Sequence, residues 1–122
     1  MTHHGSSFDP AALTAKFIKD YDALRSKVFA WRILNRSIVL TIGSWDMLHI
    51  GHLRYLMRAR AQGNVLVVGV DSDRGIKLYK GPTRPIIPEG ERCEMLCYQE
   101  CVDFVTLIDD VNEKGEWQYG LL

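Results

Sequence analysis

Hydrophobic positions along the chain switch between a helical spacing and continuous β-branched runs. Leu13, Phe17, Tyr21, Leu24, Val28 and Trp31 recur every three or four residues, which predicts one amphipathic helix. Asp9 suits its cap, Pro10 its first turn, and Phe8 with Leu13 a hydrophobic staple. The helix is therefore predicted over 9–33, packed outside the main sheet, with a turn at Asn35–Ser37. Ile38–Ile42 (IVLTI) and Val65–Val70 (VLVVGV) read as buried strands. Between them a helix starts at His49, with Leu53, Leu56, Met57 and Ala61 on one face. Arg54, Arg58 and Arg60 point elsewhere, and Gly63 is placed to end it in a left-handed cap. Strand, helix and strand of these lengths make a βαβ unit with adjacent parallel strands and a right-handed crossover. Asp71–Pro88 reads as a loop, punctuated by Gly75, Gly81, Pro82, Pro85 and Pro88, with a turn of helix around Asp73–Tyr79. A helix over Glu89–Glu100 and a third strand over Val102–Ile108 follow. Trp117, Tyr119, Leu121 and Leu122 look like the opening of another helix. The sum is an α/β fold: a parallel sheet with helices on both faces, a polar disordered segment at 1–8, and a core spanning 38–122.

Composition narrows the function classes. A length of 122 residues suits one domain with its own core. Net charge is zero, which disfavours a surface built for nucleic acid or an anionic membrane. Locally, Arg74, Lys77, Lys80 and Arg84 form a basic stretch, and a compact patch of this kind suits a small anionic ligand. No apolar run is long enough to span a bilayer and no signal-peptide core is present, so a cytoplasmic location is expected. Cys93, Cys97 and Cys101 share one helix face and read as small buried apolar residues; no metal site is expected from them.

The candidate chemistry lies in GSWDMLHIGH, Gly43 to His52, where the first strand runs into the second helix. In an open parallel sheet, ligands bind beyond the carboxyl ends of the strands. A helix start there offers unpaired N–H groups and the positive end of the helix dipole. Gly43 and Gly51 let a phosphate approach the backbone closely. His49 and His52, three residues apart, can face the same anion and donate to its oxygens. No nucleophile with a base is evident. Positioned donors supporting a phosphoryl transition state are the chemistry these residues suit.

GSWDMLHIGH resembles the G-x-F-D-x-x-H-x-G-H signature of the cytidylyltransferase-like nucleotidylyltransferases, with Trp45 at the phenylalanine position. Val70–Arg92 resembles the S-D-x-x-x-K-x-x-K-G-x-x-R-P-x-x-P-x-x-x-R region of the bacterial heptose-1-phosphate adenylyltransferases. Ser72, Asp73, Lys77, Lys80, Gly81, Arg84, Pro85, Pro88 and Arg92 are the matching positions. The resemblance covers about Ile38–Asp110. It implies a Rossmann-like fold of the HxGH type and transfer of a nucleoside monophosphate from a nucleoside triphosphate, ATP favoured, to a phosphorylated sugar or alcohol. Pyrophosphate leaves, with Mg²⁺ present. Carried over by position, His49 and His52 contact the triphosphate, the Gly43–Ser44–Trp45 backbone cradles phosphates, and Asp46 holds the turn. Lys77 and Lys80 neutralise phosphate charge, Lys80 foremost; Arg84 and Arg92 hold the loop or the phosphates; Asp71 sits near the nucleotide.

The family's later R-x-x-x-(I/V)-S-(S/T)-(S/T) segment is absent, so a C-terminally truncated domain is expected. The alternatives are a glycerol-3-phosphate-type cytidylyltransferase and a non-catalytic nucleotide-binding module. Met47 stands where pantetheine- and nicotinamide-type relatives usually carry proline, and the chain is too short for an aminoacyl-tRNA synthetase sharing HIGH. An uncovered sheet edge after Val105 would be an association site, partly shielded by the N-terminal helix; a homodimer is a further expectation of the resemblance.

Overall fold

The strand Val65–Asp71 (β2) is buried at every position, and the rest of the molecule is arranged around it. It pairs in parallel with Ile38–Gly43 (β1) on one side and Phe104–Ile108 (β3) on the other. The computed structural model describes residues 10–114 and 116–118. Around the sheet lie α1 (Pro10–Thr14), α2 (Tyr21–Ile33), α3 (Ile50–Arg60), α4 (Asp73–Lys80) and α5 (Glu89–Cys97).

Alternation along β2 divides the core between two faces. Leu66, Val68 and Val70 pack with Leu56 of α3, with Cys93, Leu96 and Cys97 of α5, and with Trp45, Val102 and Val105. Val65 and Val67 pack on the other side with Leu24, Val28 and Trp31 of α2, and with Ile38, Leu40 and Phe104. Helices thus cover both faces of a Rossmann-like parallel sheet, as the sequence predicts. The cysteines are free; burial pushes the Cys93 thiol up to about 12, so it stays protonated and apolar in character.

The predicted helix over 9–33 is two helices. Between α1 and α2, Lys16–Ile18 runs extended along β3: the Ile18 N–H donates to Val105 O at 2.8 Å and the Val105 N–H donates to Lys16 O at 2.9 Å. The outer edge of β3 needs backbone partners, and an extended segment supplies them where a helix has none to spare. Asp20 then restarts the helix by accepting from the Asp22 N–H at 3.0 Å. Residues 1–8, expected to be disordered, lie outside the described residues, and with them the Phe8 staple and the Asp9 cap.

Five other expectations change. Met57 is 61% exposed while Leu56 is fully buried, because α3 meets the sheet along a narrow stripe of Leu53, Leu56 and Ala59. Ala61 is also exposed. Arg60 turns inward to Asp103 (3.0 Å), whose carboxylate also accepts the Leu66 N–H. Gly63 has no left-handed backbone; α3 ends at Ala61 in the right-handed region, and Gly63 packs against Val39 and Ser37. The single turn expected near Asp73 is the eight-residue α4, capped by Ser72 and ended by Gly81 at φ 98°. Its internal Gly75 concealed it: a Cβ there would lie 2.3 Å from the Trp117 ring. Trp117 opens no helix and instead forms an antiparallel bridge with Val111; Tyr119, Leu121 and Leu122 lie outside the described residues.

Leu56→Ala is expected to cost about 2–5 kcal/mol in urea unfolding, and Met57→Ala less than about 0.5, which tests the orientation of α3 directly.

Candidate functional site

The register aligns Gly43 with Val70, so β1 and β2 end side by side and the chain leaves both at the same rim of the sheet. The turn after Gly43 is tight. Trp45 (φ 56°) and Met47 (φ 52°) both occupy the left-handed region, which is uncommon for such side chains. Trp45 is held there by its indole, buried against the sheet with Nε1–H donating to Gly69 O at 3.0 Å. Its backbone remains at the junction; its ring belongs to the core.

Asp46 ties this turn to the loop before α5. Its two carboxylate oxygens accept from the Ile86 N–H (2.8 Å) and the Ile87 N–H (2.9 Å). Burial alone would raise its pKa; the two amides, with the charges of Arg92 and Arg84, outweigh burial and hold it below the usual carboxylate range.

His49 and His52 form a reciprocal cap on α3. The Gly51 N–H donates to Nδ1 of His49 at 3.0 Å, and the His49 N–H donates to Nδ1 of His52 at 3.1 Å. The ring centroids are 4.0 Å apart, so the two imidazoles lie on one side of the helix start. Gly51 is required by this packing: a Cβ would meet Cε1 of His49 at 2.7 Å. The Trp45 and His52 rings stand 5.8 Å apart, centroid to centroid, at 65° to each other. Burial and the neighbouring His49 both lower the His52 pKa. The first turn of α3 carries no acid, whereas α4 has Asp73 in its first turn and Glu89 accepting the Asp73 N–H at 2.8 Å. Of these two helix starts at the rim, α3 is the one electrostatically open to an anion.

Arg92 is fully buried and spends its donors on the protein. Nε donates to Ile87 O (2.8 Å), Nη1 to Ser44 O (2.6 Å) and Asp71 O (2.7 Å), and Nη2 to the Asp73 carboxylate (2.7 Å). It braces the rim from behind, out of reach of a phosphate. The carboxyl of Asp71 is raised chiefly by burial; Tyr79 donates to it at 3.3 Å, and the Arg92 and Lys80 charges act the other way. Gly43, Ser44, Trp45, His49, Gly51, His52, Asp71 and Arg92 thus gather at the ends of β1 and β2. Lys77 and Lys80 sit exposed in the last turn of α4, about 6 and 10 Å along that helix from its start, and Arg84 lies exposed in the following loop. Lys80 places its ammonium 5.6 Å from the Tyr79 ring centroid. Asp73, Tyr79 and Glu89 also meet at this rim, with no role legible in the sequence; the adjacent Ser72–Asp73 pair, set between a strand and Gly75, is the available signal of a capped helix.

Arg92→Met should leave the Ser44, Asp71 and Ile87 carbonyls and the Asp73 carboxylate without that partner. A loss of at least about 3 kcal/mol is expected in chemical denaturation, and Arg92→Lys, unable to reach all four, should not restore it.

Comparison with known proteins places this geometry among relatives. The cytidylyltransferase-like family model matches residues 40–119. The bifunctional protein HldE of Geotalea uraniireducens is 44% identical over 93 residues, covering 76% of this chain and 19% of that protein. The HldE of Syntrophotalea carbinolica is 37% identical over 110 residues, 90% of this chain and 21% of its own length. The chain therefore spans about a fifth of the length of these curated relatives. The crystal structure of the lipopolysaccharide core biosynthesis protein from Thermoplasma volcanium superposes with a TM-score of 0.55 at 32% identity, covering 59% of this chain and 57% of that one. With strands, junction and histidine pair in place and the family model matching most of its length, this chain belongs to the cytidylyltransferase-like family.

Proposed function

We propose that the chain acts in nucleotidylyl transfer, moving a nucleoside monophosphate from a nucleoside triphosphate, ATP favoured, to a phosphorylated sugar with release of pyrophosphate. The observation that carries this reading is the close His49–His52 pair on an acid-free helix start at the ends of two parallel strands. An oxygen of the acceptor phosphate attacks the α-phosphorus, and the bond to pyrophosphate breaks as the new one forms. Negative charge on the phosphoryl oxygens is met by the imidazoles and by the backbone of Gly43–Trp45, with Gly51 keeping the His49 ring in place. Lys80 and Lys77, with Arg84, neutralise triphosphate and acceptor phosphate. Asp46 and Arg92 keep the rim in shape.

Magnesium belongs on the nucleotide in this reading. Among the described residues no three His, Cys, Asp or Glu side chains gather to hold a metal ion, and Mg²⁺ in such reactions is commonly carried by substrate phosphates. Two observations support a sugar phosphate over glycerol phosphate as acceptor: the KGPTRP stretch, Lys80–Pro85, and a structural relative named for lipopolysaccharide core biosynthesis. The need for free nucleoside triphosphate favours the cytoplasm. No helix among the described residues is long and apolar enough to cross a membrane.

Pyrophosphate release from ATP or CTP in the presence of a heptose 1-phosphate or glycerol 3-phosphate tests the assignment. Turnover with ATP and the sugar phosphate is expected; preference for CTP and glycerol phosphate would replace it with the cytidylyltransferase reading. ATP binding without turnover, in this chain and in a longer reading frame, would leave a nucleotide-binding module. His49→Asn separates structure from chemistry. Asparagine is a good helix cap, so stability should change by less than about 1 kcal/mol, while turnover falls about 10²–10³-fold through loss of one donor.

A further inference from the structure

The imidazoles at the start of α3 cap the helix, and that duty fixes the form in which they can do anything else. Each ring accepts a backbone N–H on Nδ1. A ring nitrogen that accepts carries no proton, so each neutral ring keeps its one proton on Nε2. Neither Nε2 has a protein partner among the described residues. The pair therefore offers two N–H donors from rings whose centroids are 4.0 Å apart.

We propose that His49 and His52 meet their anionic ligand as two uncharged imidazoles, each with Nδ1 turned to the backbone and Nε2–H turned outward, so that acid disarms the site instead of charging it. The identity of the anion rests on the nucleotide reading above; the state of the rings does not.

The surroundings offer an imidazolium little help. Two cations at this ring separation repel each other. The charge that acts on His52 is His49, and no carboxylate among the described residues does so. From the junction, the uncharged Trp45 ring meets His52 at a steep angle, and the Asp46 carboxylate is taken by the Ile86 and Ile87 amides. From β1, the Thr41 hydroxyl is paired with Tyr55 Oη at 2.8 Å, and from β2 only Leu66, Val68 and Val70 face α3. A proton on either Nδ1 would set a donor against a donor. Because the His52 ring holds the His49 N–H and the His49 ring holds the Gly51 N–H, the helix start would lose its caps in turn. A lowered imidazole pKa means that the unfolded chain binds more protons below the ordinary value of 6.5. The contribution of this arrangement to stability is thus complete above that value and is lost as pH falls through the lower folded one.

The test uses the intact chain with ¹⁵N-labelled histidine in long-range ¹H–¹⁵N correlation spectra at about pH 7.5. Both rings should show a protonated Nε2 and a bare Nδ1, with and without inorganic pyrophosphate. On acidification the backbone amide signals of His49 and Gly51 should move with the ring titration. Affinity for sulfate, whose own charge stays fixed, should fall at least about threefold across that titration. Gly51→Ala should free the His49 ring to sample both tautomers while His52 keeps its pattern. A proton on Nδ1 of either ring at the starting pH overturns the proposal. So does sulfate affinity that rises with acid, or Nε2–H signals that ignore sulfate at every pH. Failure to bind ATP with the ring pattern intact would overturn the nucleotide reading and leave the ring assignment standing.

Discussion

One buried guanidinium sets the geometry on which the rest depends. Arg92 reaches from α5 to the chain leaving β1 at Ser44, to the chain leaving β2 at Asp71 and Asp73, and to the loop at Ile87. These segments would otherwise be independent turns at the rim of a sheet, each free to drift. A planar group with donors in fixed directions can satisfy several carbonyls at once, which an ammonium on a flexible stem cannot. Asp46 adds a second tie between the junction and the same loop, from the opposite charge. The histidine pair is held to the sheet by Trp45 and to its own helix by two amides. Its position is thereby set by the fold and is ready before any ligand arrives.

The sheet was legible because its strands are short, apolar and β-branched, and because β2 is buried on both faces and reads as an uninterrupted run. The junction was legible from the glycine and histidine spacing at a strand-to-helix boundary. The break between α1 and α2 was not. Phe17 and Tyr21 keep helical spacing across it, since an extended segment and a helix can both direct apolar residues at one core. What decides between them is the unpaired edge of β3, a demand made by residues more than eighty positions away. Gly75 misled for a similar reason, since the ring that requires it arrives from Trp117.

Within the site, residue types alone do not show which partner each charge takes. Four cations in sequence suggested a single phosphate-binding loop. Folding sorts the charges by partner: of the four, Arg74 turns to Asp109 at 3.1 Å and Arg84 lies exposed in the loop, while Arg92, beyond them in sequence, goes inside where carbonyls from distant segments converge on it. Lys77 and Lys80 stay in water at the end of α4. Backbone carbonyls have no signature in a sequence, so an arginine that serves them cannot be told in advance from one that serves a ligand.

The chain has three tryptophans, and their settings differ in a way that makes the junction observable by light. Trp31 leans on Phe104 across the other face of the sheet, and Trp117 covers Gly75. Trp45 alone is wedged between the strand ends and the ring of His52. An indole excited state loses its energy readily to an adjacent imidazolium and much less to an imidazole. The emission of this one residue is consequently a native optical readout of the charge at the mouth of the crossover, present without any label.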